Sequence, residues 1–159
     1  MNYLFIFAIL IIFLIIYLDR SYAHKTVVKE LNKLKNLKSR IKLEKFDIKC
    51  SNFTSGRKNL GFHYRKADLF FLEDAFIVAG FYKIFSLKVY RSIAVFTKDI
   101  EKFKSIFNKA DEIVTPDRLN LNSTNREVYI EFGKASFTST NVSIRLKNLS
   151  EEEKQLIKI

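Results

Sequence analysis

Few residues in this chain have the type and spacing that chemistry demands. His63 stands close before Asp68. A His–Asp pair could exchange protons, but no Ser or Cys in motif context completes a nucleophilic set. The simpler reading is a histidine on the polar face of a strand. His24 adjoins a long apolar run, and together with Cys50 the two histidines give no metal-ligand spacing. Cys50 continues the alternation of Phe46 and Ile48, which predicts a buried, inert thiol. The acidic clusters Glu73-Asp74, Asp111-Glu112 and Glu151–Glu153 fall at expected turns, a strand start and a helix start. None accompanies a glycine-rich phosphate loop. The reading is therefore of no catalytic residue, no metal site and no cofactor.

Positive charge is more informative. Gly56-Arg57-Lys58 forms a basic loop between two expected strands, with Lys49 before it and Arg65-Lys66 after it. Lys33, Lys35 and Lys38 belong to a segment, Asp19 to Lys45, that holds nine basic residues against three acids. Beside an anionic leaflet each Lys or Arg is worth about 1 kcal/mol before screening, so Lys33, Lys35, Lys38, Arg57 and Lys58 are the candidate contacts to anionic lipid. The plain alternative for the loop is a solvated hairpin tip near the membrane.

The element that would bring these charges to a membrane comes first in the chain. Tyr3 to Leu18 is a run of 16 residues without a charge, Gly or Pro. As a helix it is roughly 24 Å long, close to the thickness of a bilayer core. Tyr3 and Tyr17 stand at its ends, where aromatics anchor at headgroups. A cleaved signal peptide ending at Ser21-Tyr22-Ala23 competes with this anchor, but no Lys or Arg precedes the apolar run. The basic flank predicts an outside N-terminus and a cytoplasmic remainder, in an inner or plasma membrane.

Residues 21–45 read as a basic amphipathic juxtamembrane helix, with Val27, Leu31, Leu34 and Ile41 on one stripe. It could be a stalk packed on the following domain, a helix lying at the leaflet, or a short coiled coil.

The remaining 114 residues carry 19 basic and 14 acidic side chains, too balanced for a nucleic-acid footprint. Over the whole chain of 159 residues, 48% are apolar and 16 are Phe, which excludes a disordered protein. A single Cys excludes a disulfide scaffold. From Phe46 the pattern alternates. Strands are expected at Phe46–Cys50, Leu60–Tyr64, Asp68–Leu72, Ala75–Ala79, Leu87–Arg91 and Ile93–Thr97, with turn material at Ser51-Asn52 and Ser55–Asn59, a turn at 73–74 and a bend at Arg91-Ser92. A short helix over 98–109, capped by Thr97 or Asp99, buries Ile100, Phe103 and Phe107. A hairpin follows, Arg118–Asn122 with Arg126–Phe132 around Ser123-Thr124-Asn125, then a strand through Val142, Ile144 and Leu146. Ser150 and Glu153 form a capping box for a final helix.

Residues 67–97 and the ending NVSIRLKNLSEEEKQLIKI resemble the small bacterial PH-like or GRAM-like domains that follow a membrane anchor. The resemblance covers residues 46–159 and rests on the order of strands and the last helix. It implies an antiparallel barrel capped by a C-terminal helix, and a role for the 56–58 loop in holding phosphorylated headgroups. The helix at 98–109 is an addition to that plan.

The expectation is one transmembrane helix (1–20), the basic segment (21–45) and a β-rich α+β domain (46–159). The protein would be a membrane-anchored, non-catalytic binding or scaffolding module on the cytoplasmic face. Its partners would be the lipid bilayer and anionic lipid headgroups, with no nucleic acid. An enzyme of unrecognised type is the alternative, or an exported envelope-associated protein if the N-terminal segment is removed.

Overall fold

A computed structural model describes residues 2–56, 62–123, 127–133, 140–157 and 159. Arg57, Lys58 and Leu60 lie outside the described residues, as do Thr124, Asn125 and Arg126 of the expected hairpin.

Helix α1 runs unbroken over Asn2–Lys33, and its apolar half stands clear of the rest of the molecule. Among the described residues it is the one helix long and apolar enough to cross a membrane. The basic segment does not stay helical to Lys45. A 3-10 segment, Leu34–Arg40, follows α1, and Ile41 already begins strand β1, Ile41–Gly56. Ile41 and Leu43 fit a helical stripe and a strand equally well by spacing. Pairing with a neighbouring strand decides between them, since Ile41 lies opposite Leu72 and Leu43 opposite Phe71.

The other strands are β2 (Lys66–Leu72), β3 (Ala75–Ile84), β4 (Leu87–Thr97), β5 (Glu112–Val114), β6 (Arg118–Asn120), β7 (Val128–Phe132) and β8 (Thr140–Leu146). They form one sheet in the order β5-β4-β3-β2-β1-β8-β7-β6, curled into a half-barrel. The β4–β5 pair is parallel, so the sheet is mixed and not wholly antiparallel. The short helix α2 (Ile100–Ile106), capped by Asp99, supplies the crossover that a parallel pair requires.

Strand β1 belongs to both halves of the curl. Its residues 41–49 pair with β2 and residues 50–56 with β8. The turn material expected at Ser51-Asn52 and at Ser55-Gly56 is therefore strand. Phe62 and Tyr64 are buried on either side of exposed His63, as the alternation predicts, yet residues 62–64 form no strand. This segment runs beside the switch point, where Cys50 N donates to Arg65 O (3.0 Å) and Asn52 Nδ2 to Tyr64 O (2.7 Å).

Two apolar clusters flank β2–β4. The inner one, within the curl, holds Leu69, Phe71, Phe76, Val78 and Phe96 with Val128, Ile130, Val142 and Ile144. The C-terminal helix α3 (Glu151–Gln155) starts at the Ser150–Glu153 capping box, and the following Ile157 joins this cluster. The outer cluster holds Phe70, Leu72, Ile77, Ile93 and Val95, covered by Val27, Leu34, Phe103 and Phe107. Strands covered on both faces must be apolar throughout, which is why the texture of 68–79 and 93–97 lacks alternation. Residues 87–97 are one strand, with Gly80 opposite Ser92 and Phe81 opposite Tyr90, so Arg91 is an extra residue in a bulge. The expected bend is that bulge. Gly80 has no substitute there, because a Cβ would come 2.1 Å from the Tyr64 ring.

Candidate functional site

The site is a cleft of about 880 Å³ at the switch point of β1. β1 contributes Lys49, β2 with its preceding residue contributes Arg65 and Lys66, β3 contributes Lys83, and Lys147 follows β8. Five cations thus converge because a long strand changes partners beneath them. Cys50, Tyr64 and Phe81 form apolar lining.

Carboxylates balance only part of this charge. Lys83 Nζ donates to Asp47 Oδ2 (2.8 Å) and Lys66 Nζ to Asp47 Oδ1 (3.0 Å). The hydrogen bond from Lys83, then that from Lys66, lowers the Asp47 carboxyl to about 2. Lys147 pairs with Glu127 at 3.1 Å. Lys49 and Arg65 are exposed, and among the described residues no carboxylate lies within ion-pair distance of either.

Asp47 also shapes the backbone. Its φ of 61° is left-handed, and Phe46 and Asp47 together oppose the single residue Asp68, an irregularity that reverses the alternation. Phe46 consequently faces solvent and not the core with Ile48 and Cys50. Buried Asp68 holds this bulge by accepting from Asp47 N (2.9 Å), from Lys88 Nζ (2.8 Å to each oxygen) and from the Tyr90 hydroxyl. With these three partners Asp68 is a structural anion, and it makes no pair with His63. Burial, then Asp68, raises the Tyr90 hydroxyl.

Burial pushes the Cys50 thiol up to about 12, so it stays protonated and unreactive at neutral pH. Burial likewise raises the Tyr64 hydroxyl. What the cleft offers chemically is cationic donors around an apolar floor, an arrangement that holds an anion with an attached apolar or neutral part. Among the described residues no group of three His, Cys, Asp or Glu gathers as a metal site.

Of the candidate lipid contacts the described residues include Lys33, Lys35 and Lys38. Lys33 Nζ is bound to Glu30 (2.9 Å) and Asn108 (2.8 Å), while Lys35 and Lys38 are exposed on the 3-10 segment. Along the helix axis Lys33 lies roughly 20 Å beyond Asp19, so these lysines sit at the end of α1 remote from its apolar half. Lys83 and Lys147 escaped sequence reasoning. The available signal was a cation ending each of two apolar strands, but the sheet order that unites them is not local.

The cleft also lies close to the start of the polar chain. Tyr82, on its rim, has its ring 5.8 Å beneath the guanidinium of Arg20, the first basic residue after the apolar run. Compared with protein-family models, curated proteins and solved structures, the chain matches none.

Proposed function

We propose that this protein is a single-pass, membrane-anchored binding module, without catalytic activity, whose cleft holds the phosphate of an anionic lipid headgroup. The observation that carries the reading is the convergence of five cations, two of them with no carboxylate partner among the described residues, beside the residue that leaves the apolar helix. A headgroup at the boundary of that helix is the anion nearest such a cleft, and its glycerol and acyl parts suit the apolar floor.

An uncleaved anchor is supported by the continuity of α1 through Ser21–Ala23 and by the packing of its next turns onto β4. Asp19 reaches Arg91 (3.4 Å), and Tyr90 N donates to His24 Nδ1 (3.2 Å). The basic flank after the helix supports a domain on the cytoplasmic side of an inner or plasma membrane. A curled sheet ended by a helix that packs into its core supports the PH-like reading, with the parallel β4–β5 pair and the open curl as departures from that plan.

Native mass spectrometry of the full-length protein released from mixed phosphatidylglycerol and phosphatidylcholine vesicles tests the site. Phosphatidylglycerol should remain bound preferentially. The double change Lys49→Ala and Arg65→Ala should abolish that preference, whereas Lys35→Ala with Lys38→Ala should leave it intact. Equal losses from both pairs would reduce the cleft to ordinary surface charge. Displacement of the lipid by millimolar inorganic phosphate would identify a soluble anion as the ligand instead.

A further inference from the structure

The β3–β4 hairpin ends in Ile84-Phe85-Ser86-Leu87, with Ile84 opposite Leu87 and Phe85-Ser86 as a two-residue turn. Phe85 is 98% exposed and Leu87 70%. Phe85 also has φ 54°, a left-handed conformation that favours glycine at such turns and is costly for a bulky side chain. Neither packing nor turn chemistry accounts for phenylalanine here. A strained, fully exposed aromatic is a feature that folding alone selects against.

The placement of the tip gives it a role. His24 stacks on Tyr90, and four residues earlier along α1 Arg20 lies over Tyr82, which pairs with Val89. At the opposite end Lys33 meets Asn108 and Arg40 meets Asp74, just before β3, so moving toward the apolar end of the helix means moving along the hairpin toward its tip, with the long Arg91 side chain reaching Asp19 from behind. Past Tyr82 and Val89 come Lys83 and Lys88, then Ile84 and Leu87, then the turn, an extension of up to about 10 Å at the rise of a strand. Past Asp19 and Arg20 the helix is apolar without interruption to Tyr3. Continued in the direction of α1, that extension brings the tip level with the first turns of the apolar segment, without touching it.

We infer that the hairpin is a second membrane contact, with Ile84, Phe85 and Leu87 entering the acyl region of the leaflet into which α1 passes. Lys83 and Lys88, which hold Asp47 and Asp68, stand one pair behind the tip, so charged side chains resume at the depth of the headgroups. The inference rests on the membrane-spanning reading of α1, and it adds a lipid-inserted element to the same end of the protein.

The chain contains no Trp, so a single introduced Trp reports alone. Three full-length variants, Phe85→Trp, Phe13→Trp and Phe53→Trp, are reconstituted into phosphatidylcholine–phosphatidylglycerol vesicles, with and without bromine in the upper acyl chain. Phe13 lies in the apolar run, and Phe53 is an exposed residue on the half of β1 that pairs with β8. Position 85 should emit at short wavelength and lose as much intensity to brominated lipid as position 13, while position 53 should be quenched only by aqueous iodide. Quenching by bromine at 13 but not at 85 would overturn the inference and leave the anchor standing. Loss of quenching at both positions would overturn the anchor, and the inference with it. Blue-shifted emission at 85 that brominated lipid leaves unchanged would assign the tip to a protein contact and overturn the lipid insertion.

Discussion

One carboxylate sets how much positive charge the cleft presents. Asp47 engages Lys66 and Lys83 together, and Asn at that position keeps the left-handed backbone while releasing both cations. With each freed lysine worth about 1 kcal/mol near anionic lipid, Asp47→Asn should tighten phosphatidylglycerol binding by about tenfold after screening. Vesicle flotation at graded lipid concentration measures it. The same residue gives a pH signature. Its folded pKa of about 2 lies below the ordinary value of 3.8. Its contribution to stability is therefore fully present above about pH 4 and disappears as pH falls through 2. Melting curves of wild type and Asp47→Asn should differ at neutral pH and converge below that point. At this scale the sequence was partly legible. Lys49, Arg65 and Lys66 stand out beside a basic loop, and the buried Cys50 follows from alternation. The position of Phe46 does not, because a bulge moves every side chain before it to the opposite face. Buried ions such as Asp68, Glu30 and Lys154 are equally hidden, since their partners come from other elements or from the next helical turn.

Elements with strong local patterns were legible, and those defined by pairing were not. The Ser150–Glu153 box, the Asp99 cap and the alternation of β7 and β8 are written within a few residues. The end of the basic helix, the parallel β5 and the length of β1 depend on which strand lies alongside. That difference has a measurable consequence for where the soluble unit begins. A fragment of residues 46–159 lacks Ile41–Lys45, which pair with β2, and also Val27 and Leu34, which cover the outer cluster. Fully burying one such side chain contributes about 1.5–3 kcal/mol, so the shorter fragment loses several kcal/mol, on the order of a whole domain's stability. Residues 21–159 should give a cooperative thermal transition by circular dichroism, and residues 46–159 should aggregate or melt without one. Equal melting temperatures would show that α1 and the 3-10 segment merely rest on the sheet.

For the whole molecule, the side of the membrane decides which anions the cleft can meet. Cys50 is the natural cysteine for a labelling experiment, but its buried, protonated thiol stays silent on either side. Glu101, 85% exposed on α2, is a suitable replacement. In intact cells Glu101→Cys should resist a membrane-impermeant maleimide and react once the membrane is opened, and labelling of intact cells would invert the proposed orientation. The proposed orientation rests on the charge flanking the apolar run alone. The packing of the Val27, Leu31 and Leu34 stripe on the domain was one of three readings of that segment and is the one observed, but which strand it meets was not legible, because those residues carry no mark of β4. The shared strand β1 also sets a timetable for synthesis. Its first half finds β2 soon after both leave the ribosome, but Cys50 through Gly56 wait for Thr140–Leu146, near the end of the chain. During that interval the nascent chain displays an open strand edge, the structure most prone to recruit its like. Messages cut short before Thr140 leave the edge open permanently. Quality control therefore has a defined task with this chain: to remove those that began β1 and never made its second partner.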